Sequence, residues 1–241
     1  MARIHDLLCK DKGADKGRSQ RHLRIGYKRD LPRAQLVNKL GILISGRGSN
    51  MDAILAAIKS GKIRNVQPSV VISNKPDAAG LKIASEKYQV PTKVIPPEGL
   101  NGWDYDHKVV TALKEHGVTP DSGLVCLAGF MRIISPEFVR QYRMRIINIH
   151  PALLPSFPGL HAQKQALDAG VKITGCTVHF VDEGVDSGPI ILQRAVPVMD
   201  NDTEDTLSAR ILEQEHQLYP EAVRLFCEDK LRVLGRKVLI V

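Results

Sequence analysis

"LGILISGRGSNMDAILAAIKSGK", residues 40–62, decides the fold class. The run LGILIS (40–45) is short and apolar, as a strand buried on both faces should be. SGRGSN (45–50) then places two glycines in one tight turn. Apolar residues recur beyond it at Met51, Ile54, Leu55 and Ile58, the spacing of one helix face. A strand, a glycine turn and an amphipathic helix open a βαβ unit.

The same alternation continues outward. PSVVIS (68–73), PTKVIP (91–96), GLVCLAG (123–129) and RIINI (145–149) read as further strands. Between them DAAGLKIASEKY, WDYDHKVVTALKEHG and SPEFVRQY read as helices, the last with Ser135 as its cap and Pro136 at its first position. Strands alternating with helices of this length predict a parallel, doubly wound sheet. After Pro151 the texture changes. KITGCTVHFV (172–181) sets Ile173, Cys176, Val178 and Phe180 against Thr174, Thr177 and His179, and PIILQRAVPV (189–198) follows closely as an antiparallel neighbour. A long amphipathic helix over 202–230 and two short strands close the chain. The expected fold is α/β: one domain with a mixed sheet, Rossmann-like and parallel in its first half, more antiparallel in its second.

The charge of +8 is unevenly placed. Residues 1–39 hold 11 Lys and Arg against 4 Asp, a net of +7, which leaves +1 for all the rest. The division expected is therefore a basic N-terminal arm over 1–39, solvated and without a fold of its own, and a catalytic domain over 40–241. The nearly neutral domain gives no reason to expect a nucleic-acid partner. No run reaches the ~18 apolar residues of a membrane span, and the N-terminus lacks a secretory pattern. Four scattered cysteines, with no C-x-x-C pair, suit reduced thiols in a cytoplasmic compartment. The eight histidines form no pair at metal-ligand spacing, so no metal is expected.

Two places carry chemistry. The first is SGRGSN. In open α/β sheets ligands bind at the carboxyl ends of strands, and a helix start there offers free N–H groups and partial positive charge. Gly46 and Gly48 let backbone come close to a ligand, and Ser49 and Asn50 add donors. A phosphate monoester suits such a turn; a plain capped turn would look the same. The second is RIINIHPALLPSFPG (145–159). Asn148 and His150, two apart on a strand, point to one side. An amide N–H and an imidazolium suit a developing oxyanion, and the imidazole can also carry a proton. VDEGVDSGPI supplies Asp182, Glu183 and Asp186, of which Asp186 stands in a loop just ahead of a strand. With no serine or cysteine in an elbow nearby, direct transfer is expected.

Taken together, ISGRGSN, ISNKPDAAGL, LAGFMRIISPEF, NIHPALLPSFPGLHAQKQAL, GCTVHFVDEGVDSGPIILQ and QEHQLYP resemble the folate-dependent formyltransferases. The resemblance runs from Leu40 to about Leu231. It implies 10-formyltetrahydrofolate as donor co-substrate and glycinamide ribonucleotide as acceptor, in one-carbon metabolism feeding purine synthesis. It implies Asn148, His150 and Asp186 as the catalytic trio. It implies acceptor contacts at Gly48, Ser49, Asn50 and Glu215, and folate contacts at Met131, Arg132, Ile133, Ile134, Asn148 and Asp182. Two positions depart from some relatives: Gly102, where an arginine stands near the donor's glutamyl tail, and Leu212, where a Lys or Gln stands one turn before Glu215. Small-molecule partners and a monomer or homodimer are implied. Methionyl-tRNA formyltransferases share the trio but carry a sizeable tRNA-binding domain. Formyltetrahydrofolate hydrolases carry a folded domain ahead of the catalytic one. A binding module without catalysis would be expected to lack one of the trio.

Overall fold

The computed structural model describes residues 39–241. The arm expected over 1–39 lies outside the described residues but for Lys39, which begins the first strand.

The elements alternate as the sequence predicts: β1 (Lys39–Ile44), α1 (Ser49–Lys59), β2 (Gln67–Ser73), α2 (Ala79–Lys82), β3 (Thr92–Val94), α3 (Gly102–Glu115), β4 (Gly123–Leu127), α4 (Pro136–Gln141) and β5 (Ile146–His150). Then come α5 (Ala162–Asp168), β6 (Ile173–Phe180), β7 (Ile190–Pro197), α6 (Glu204–Cys227), β8 (Leu231–Leu234) and β9 (Lys237–Ile240). They form one sheet of nine strands in the order β3-β2-β1-β4-β5-β6-β7-β9-β8. The first five strands are mutually parallel, and β6 runs antiparallel to both β5 and β7. The mixed, doubly wound reading holds.

Alternation along β1 divides the core. Leu40, Ile42 and Ile44 face α1 and α6, while Leu43 faces α3 and α4 with Val70, Ile72 and Val125. Both faces are covered, so the strands read as continuous apolar runs. The order of the strands reverses between β1 and β4. At that switch point the loops leaving two neighbouring strands part to opposite faces and open a crevice at their carboxyl ends.

Three local expectations change. The second helix is a short α2 that widens into a single π turn over Ile83–Lys87. The segment 162–168, to which the sequence reading assigns no element, is helical. On β6, Ile173 is exposed and Thr174 is buried, the reverse of the expected pattern. Side chains alternate strictly along a strand, so Thr174 shares the face of Cys176, Val178 and Phe180. The opposite face is buried too, because the loop after β5 covers it: Thr177 Oγ1 donates to Ala152 O at 2.7 Å and accepts from Leu154 N at 3.1 Å.

Candidate active site

The turn after β1 and the loop after β4 flank the switch point. Ser45 joins them: its Oγ accepts from Met131 N at 2.8 Å and donates to Asn74 Oδ1 at 2.6 Å. A cleft of about 590 Å³ lies over this junction, lined by residues 45–50, Gly129, Met131, Asp205, Ser208, Leu212 and Glu215 among others. The start of α1 opens into it. Gly48 sits at the N-cap with φ 74° and ψ 24°, a conformation that glycine adopts without strain. No side chain caps this helix, so the first-turn N–H groups, which by geometry lack intrahelical partners, face the cleft.

The reason for Gly48 is not the one the sequence suggested. A Cβ there would stand 2.8 Å from Gly80 Cα and 3.1 Å from Met51 Cε, so packing against α2 excludes a side chain. At Gly46 a Cβ would meet nothing within 4 Å; that glycine is the one bordering open space. Asn50, expected to offer its amide, has Nδ2 committed to Glu215 Oε2 at 2.7 Å, across from α1 to α6. Burial pushes the Glu215 carboxyl above its usual range, with the Asn50 hydrogen bond opposing. Asn50 Oδ1 is buried without a partner.

The trio assembles on the other side of β5. Antiparallel pairing sets Asn148 opposite His179 and His150 opposite Thr177, all on one face. The loop between β6 and β7 folds back over that face and brings in Asp186, itself at φ 51°. Asp186 Oδ2 lies 3.2 Å from His150 Nδ1 and accepts from Gly159 N at 2.8 Å. Asp186 Oδ1 lies 3.5 Å from Asn148 Nδ2 and 3.6 Å from His179 Nε2. His150 Nε2 stands 2.8 Å from Phe157 O. The proline-rich loop thus returns to the strand end that it left, and its backbone holds two members of the trio.

Two opposing effects act on His150. Burial lowers its pKa, while the Asp186 charge and the Phe157 carbonyl raise it; the net shift is downward from 6.5. Yet both ring nitrogens face acceptors, so each neutral tautomer leaves one lone pair against an oxygen. Burial thus favours the neutral ring in a setting whose two acceptors suit the charged form. For Asp186 burial acts upward and is opposed by the Gly159 N–H and the nearby His150; the carboxyl lies below its usual range.

A second, smaller cavity of about 130 Å³ is lined by Leu127, Phe130, Arg132, Ile133, Ile134, Asn148, His179, Asp182, Val185 and Asp186, among others. The sequence-derived folate residues gather here except Met131, which lines the first cleft. Ile133 and Met131 are largely exposed, at 80% and 64%. Arg132 lies over the Tyr105 ring at 4.0 Å and donates to Leu100 O at 2.9 Å, beside Gly102. Asp182 accepts from Ser187 Oγ at 2.7 Å and from Gly184 N at 3.2 Å, which shapes the loop leading to Asp186.

Sequence reasoning missed His179, Phe157 and Gly159, and the cleft-lining Gln163, Asp205 and Ser208. Only His179 left a trace, as a polar residue on a strand otherwise fit for the core. Among the described residues no group of three or more His, Cys, Asp or Glu could hold a metal ion, and no helix is long and apolar enough to cross a membrane.

Residues 38–223 match the family model described as formyl transferase. The chain is 46% identical over 194 residues to the trifunctional purine biosynthetic protein adenosine-3 of Drosophila melanogaster, covering 80% of this chain but only 14% of that protein. It is 43% identical over 192 residues to the phosphoribosylglycinamide formyltransferase of Escherichia coli, covering 80% of this chain and 88% of that one. The crystal structure of glycinamide ribonucleotide transformylase 1 from Symbiobacterium toebii superposes with a TM-score of 0.80 at 47% identity, covering 86% and 95% of the two chains. A family match over most of the described residues is decisive: this chain belongs to the formyl transferase family.

Proposed function

We propose that this chain transfers the formyl group of 10-formyltetrahydrofolate to the primary amine of glycinamide ribonucleotide. The observation that carries the reading is the placement of the trio between two unlike clefts. Ile149 and Pro151, on either side of His150, line the cleft that holds the glycine turn and the α1 start. Asn148 and Asp186 line the smaller cavity among Leu127, Phe130 and Ile134. A phosphate seated on the α1 N–H groups gains hydrogen bonds and the helix dipole. A flat heterocycle with polar edges suits the smaller cavity, where Leu127, Phe130 and Ile134 stand beside Arg132, Asn148 and Asp182. The two ligands then meet at the strand end.

The amine attacks the formyl carbon; a C–N bond forms and the carbonyl becomes an alkoxide. The attacking nitrogen gives up a proton to His150 Nε2, which leaves the Phe157 carbonyl; the Nε2–H so formed and the Asn148 amide then donate hydrogen bonds to that oxygen, while Asp186, beside Nδ1, holds the resulting cation. As the bond from carbon to N10 of the folate breaks, that nitrogen receives the proton, and tetrahydrofolate leaves with no net charge transferred. Removing one oxyanion donor typically costs ~100–1,000-fold in rate.

The test is an assay of formyl transfer to glycinamide ribonucleotide, with water as the control acceptor. Transfer that depends on the amine supports the reading. Release of tetrahydrofolate at the same rate without it would point to hydrolysis instead.

A further inference from the structure

His179 lies outside the proposed trio, yet it is 2% exposed and touches two of its members. Its Nδ1 stands 2.9 Å from Phe180 O. A carbonyl oxygen only accepts, so Nδ1 carries the ring proton. In the neutral ring Nε2 then presents a lone pair, 3.3 Å from Asn148 Nδ2. The amide nitrogen is the only group on Asn148 that can satisfy it. A charged His179 would instead set an Nε2–H against the amide N–H₂, two donors face to face, with Asp186 Oδ1 at 3.6 Å as its one carboxylate partner. Of the charged or titratable groups near this ring, Asp186 and His150 interact with it, and Arg132 and Asp182 line the same cavity.

An isolated asparagine amide can turn over by half a rotation and exchange its oxygen for its nitrogen. Here such a turn would aim a carbonyl oxygen at the reacting oxyanion. It would also leave the His179 lone pair and the Asp186 carboxylate facing Asn148 Oδ1. We propose that His179 is a positioning residue for formyl transfer: its Nε2 accepts one Asn148 N–H and so fixes the second N–H as the oxyanion donor. That second N–H has only the long 3.5 Å contact to Asp186 Oδ1 to give up when the reacting oxygen arrives. The strand register builds the pair, since Asn148 and His179 stand directly opposite one another on β5 and β6.

This inference rests on the proposed transfer reaction, and its test separates the two. Four variants are compared with the unaltered protein in steady-state kinetics, each substrate varied in turn: His179→Leu, His179→Gln, Asn148→Ala and the double variant His179→Leu with Asn148→Ala. His179→Leu should lower kcat by about 10–100-fold, with both KM values within about 3-fold, because only an interaction made in the transition state is lost. His179→Gln, whose side-chain oxygen can accept where Nε2 did, should recover most of that loss. In the Asn148→Ala background the His179→Leu change should cost less than about 3-fold, since nothing remains to be positioned. Multiplicative losses in the double variant, or a glutamine no better than leucine, would overturn the proposal. Nitrogen-15 NMR of histidine-labelled unaltered protein supplies a test that needs no variant to fold: Nδ1–H with a free Nε2 is expected, and Nε2–H would overturn it. If the unaltered protein transferred no formyl group, the reaction assignment would fall while the NMR result still judged the His179–Asn148 pairing.

Discussion

The two clefts are built from different materials. Around the α1 start backbone borders the cleft, at glycines 46 and 48, the uncapped first turn and a strand end tied through Ser45 to the next loop, with Asp205, Ser208 and Leu212 facing it from α6. Around β5 and β6 the surface is side chain: Asn148, His150, His179 and Asp186 within hydrogen-bonding or ion-pairing reach of one another. The sheet topology accounts for the contrast. Parallel strands bring their carboxyl ends and following loops to one edge, which favours backbone donors. An antiparallel neighbour lays a second row of side chains against the first, as His179 against Asn148, and makes a compact polar cluster on one face. Backbone suits a ligand that is only to be held; side chains, which titrate, suit one that is to be changed.

The largest effects should come from the side-chain region. His150→Ala and Asp186→Asn should each lower kcat by about 100-fold or more while leaving the acceptor KM within a few-fold, because both groups meet charge that develops after binding. Asn148→Asp should fail as fully, since it places an acceptor beside an oxyanion. Near-normal turnover in any of the three would break the division between a holding region and a reacting region.

In the backbone region the two glycines sharpen the comparison. Gly48→Ala meets Gly80 and a positive φ, so it should cost about 1–3 kcal/mol of stability, read as a fall in the urea midpoint. Gly46→Ala has space for its methyl and should leave the midpoint unchanged. Because Gly46 lines the cleft proposed for the acceptor and its methyl would stand in open space there, it should raise the acceptor KM several-fold and the folate KM little. Equal change in both constants would show that this turn does not hold the acceptor alone. Glu215→Ala, which strips the buried Asn50 amide of its partner, should cost about 1–3 kcal/mol.

The fold was legible because a parallel sheet covered on both faces must be written in apolar runs, and β1, β2, β4 and β5 are. The helix at 162–168 was not, since prolines 155 and 158 and Gly159 just ahead of it read as loop and the helix is short. The trio was legible in part. Asn148 and His150 announce themselves as polar residues ending an apolar strand. Asp186 comes to them through a loop whose path no local pattern dictates, and it took the family resemblance to select it over Asp182 and Glu183. His179 was hidden because strand alternation predicts only that it faces away from Val178. That it faces Asn148 follows from the register of two strands about thirty residues apart, which depends on tertiary pairing.

The smallest effect concerns acid. His150 is held below 6.5 by burial, and Asp186 lies below 3.8, with the Gly159 N–H and His150 opposing its burial. In both cases the unfolded chain takes up its proton at a higher pH than the folded one. Each group therefore contributes stability that is fully present above its unfolded pKa and is lost as pH falls through the folded value. For His150 the loss sets in below 6.5; for Asp186 it follows below 3.8. His216, also lowered by burial, adds to the first stage, while the raised carboxyls of Asp106 and Glu215 act in the opposite direction. Subtracting one protein from another removes these shared contributions. The melting temperature of His150→Gln should therefore fall less than that of the unaltered protein between about pH 7 and pH 5, by a few degrees at most. Parallel curves would mean that His150 charges alike in the folded and unfolded protein over that range. That result would remove the buried, neutral resting histidine from the proposed proton path and leave Asp186 to carry that step.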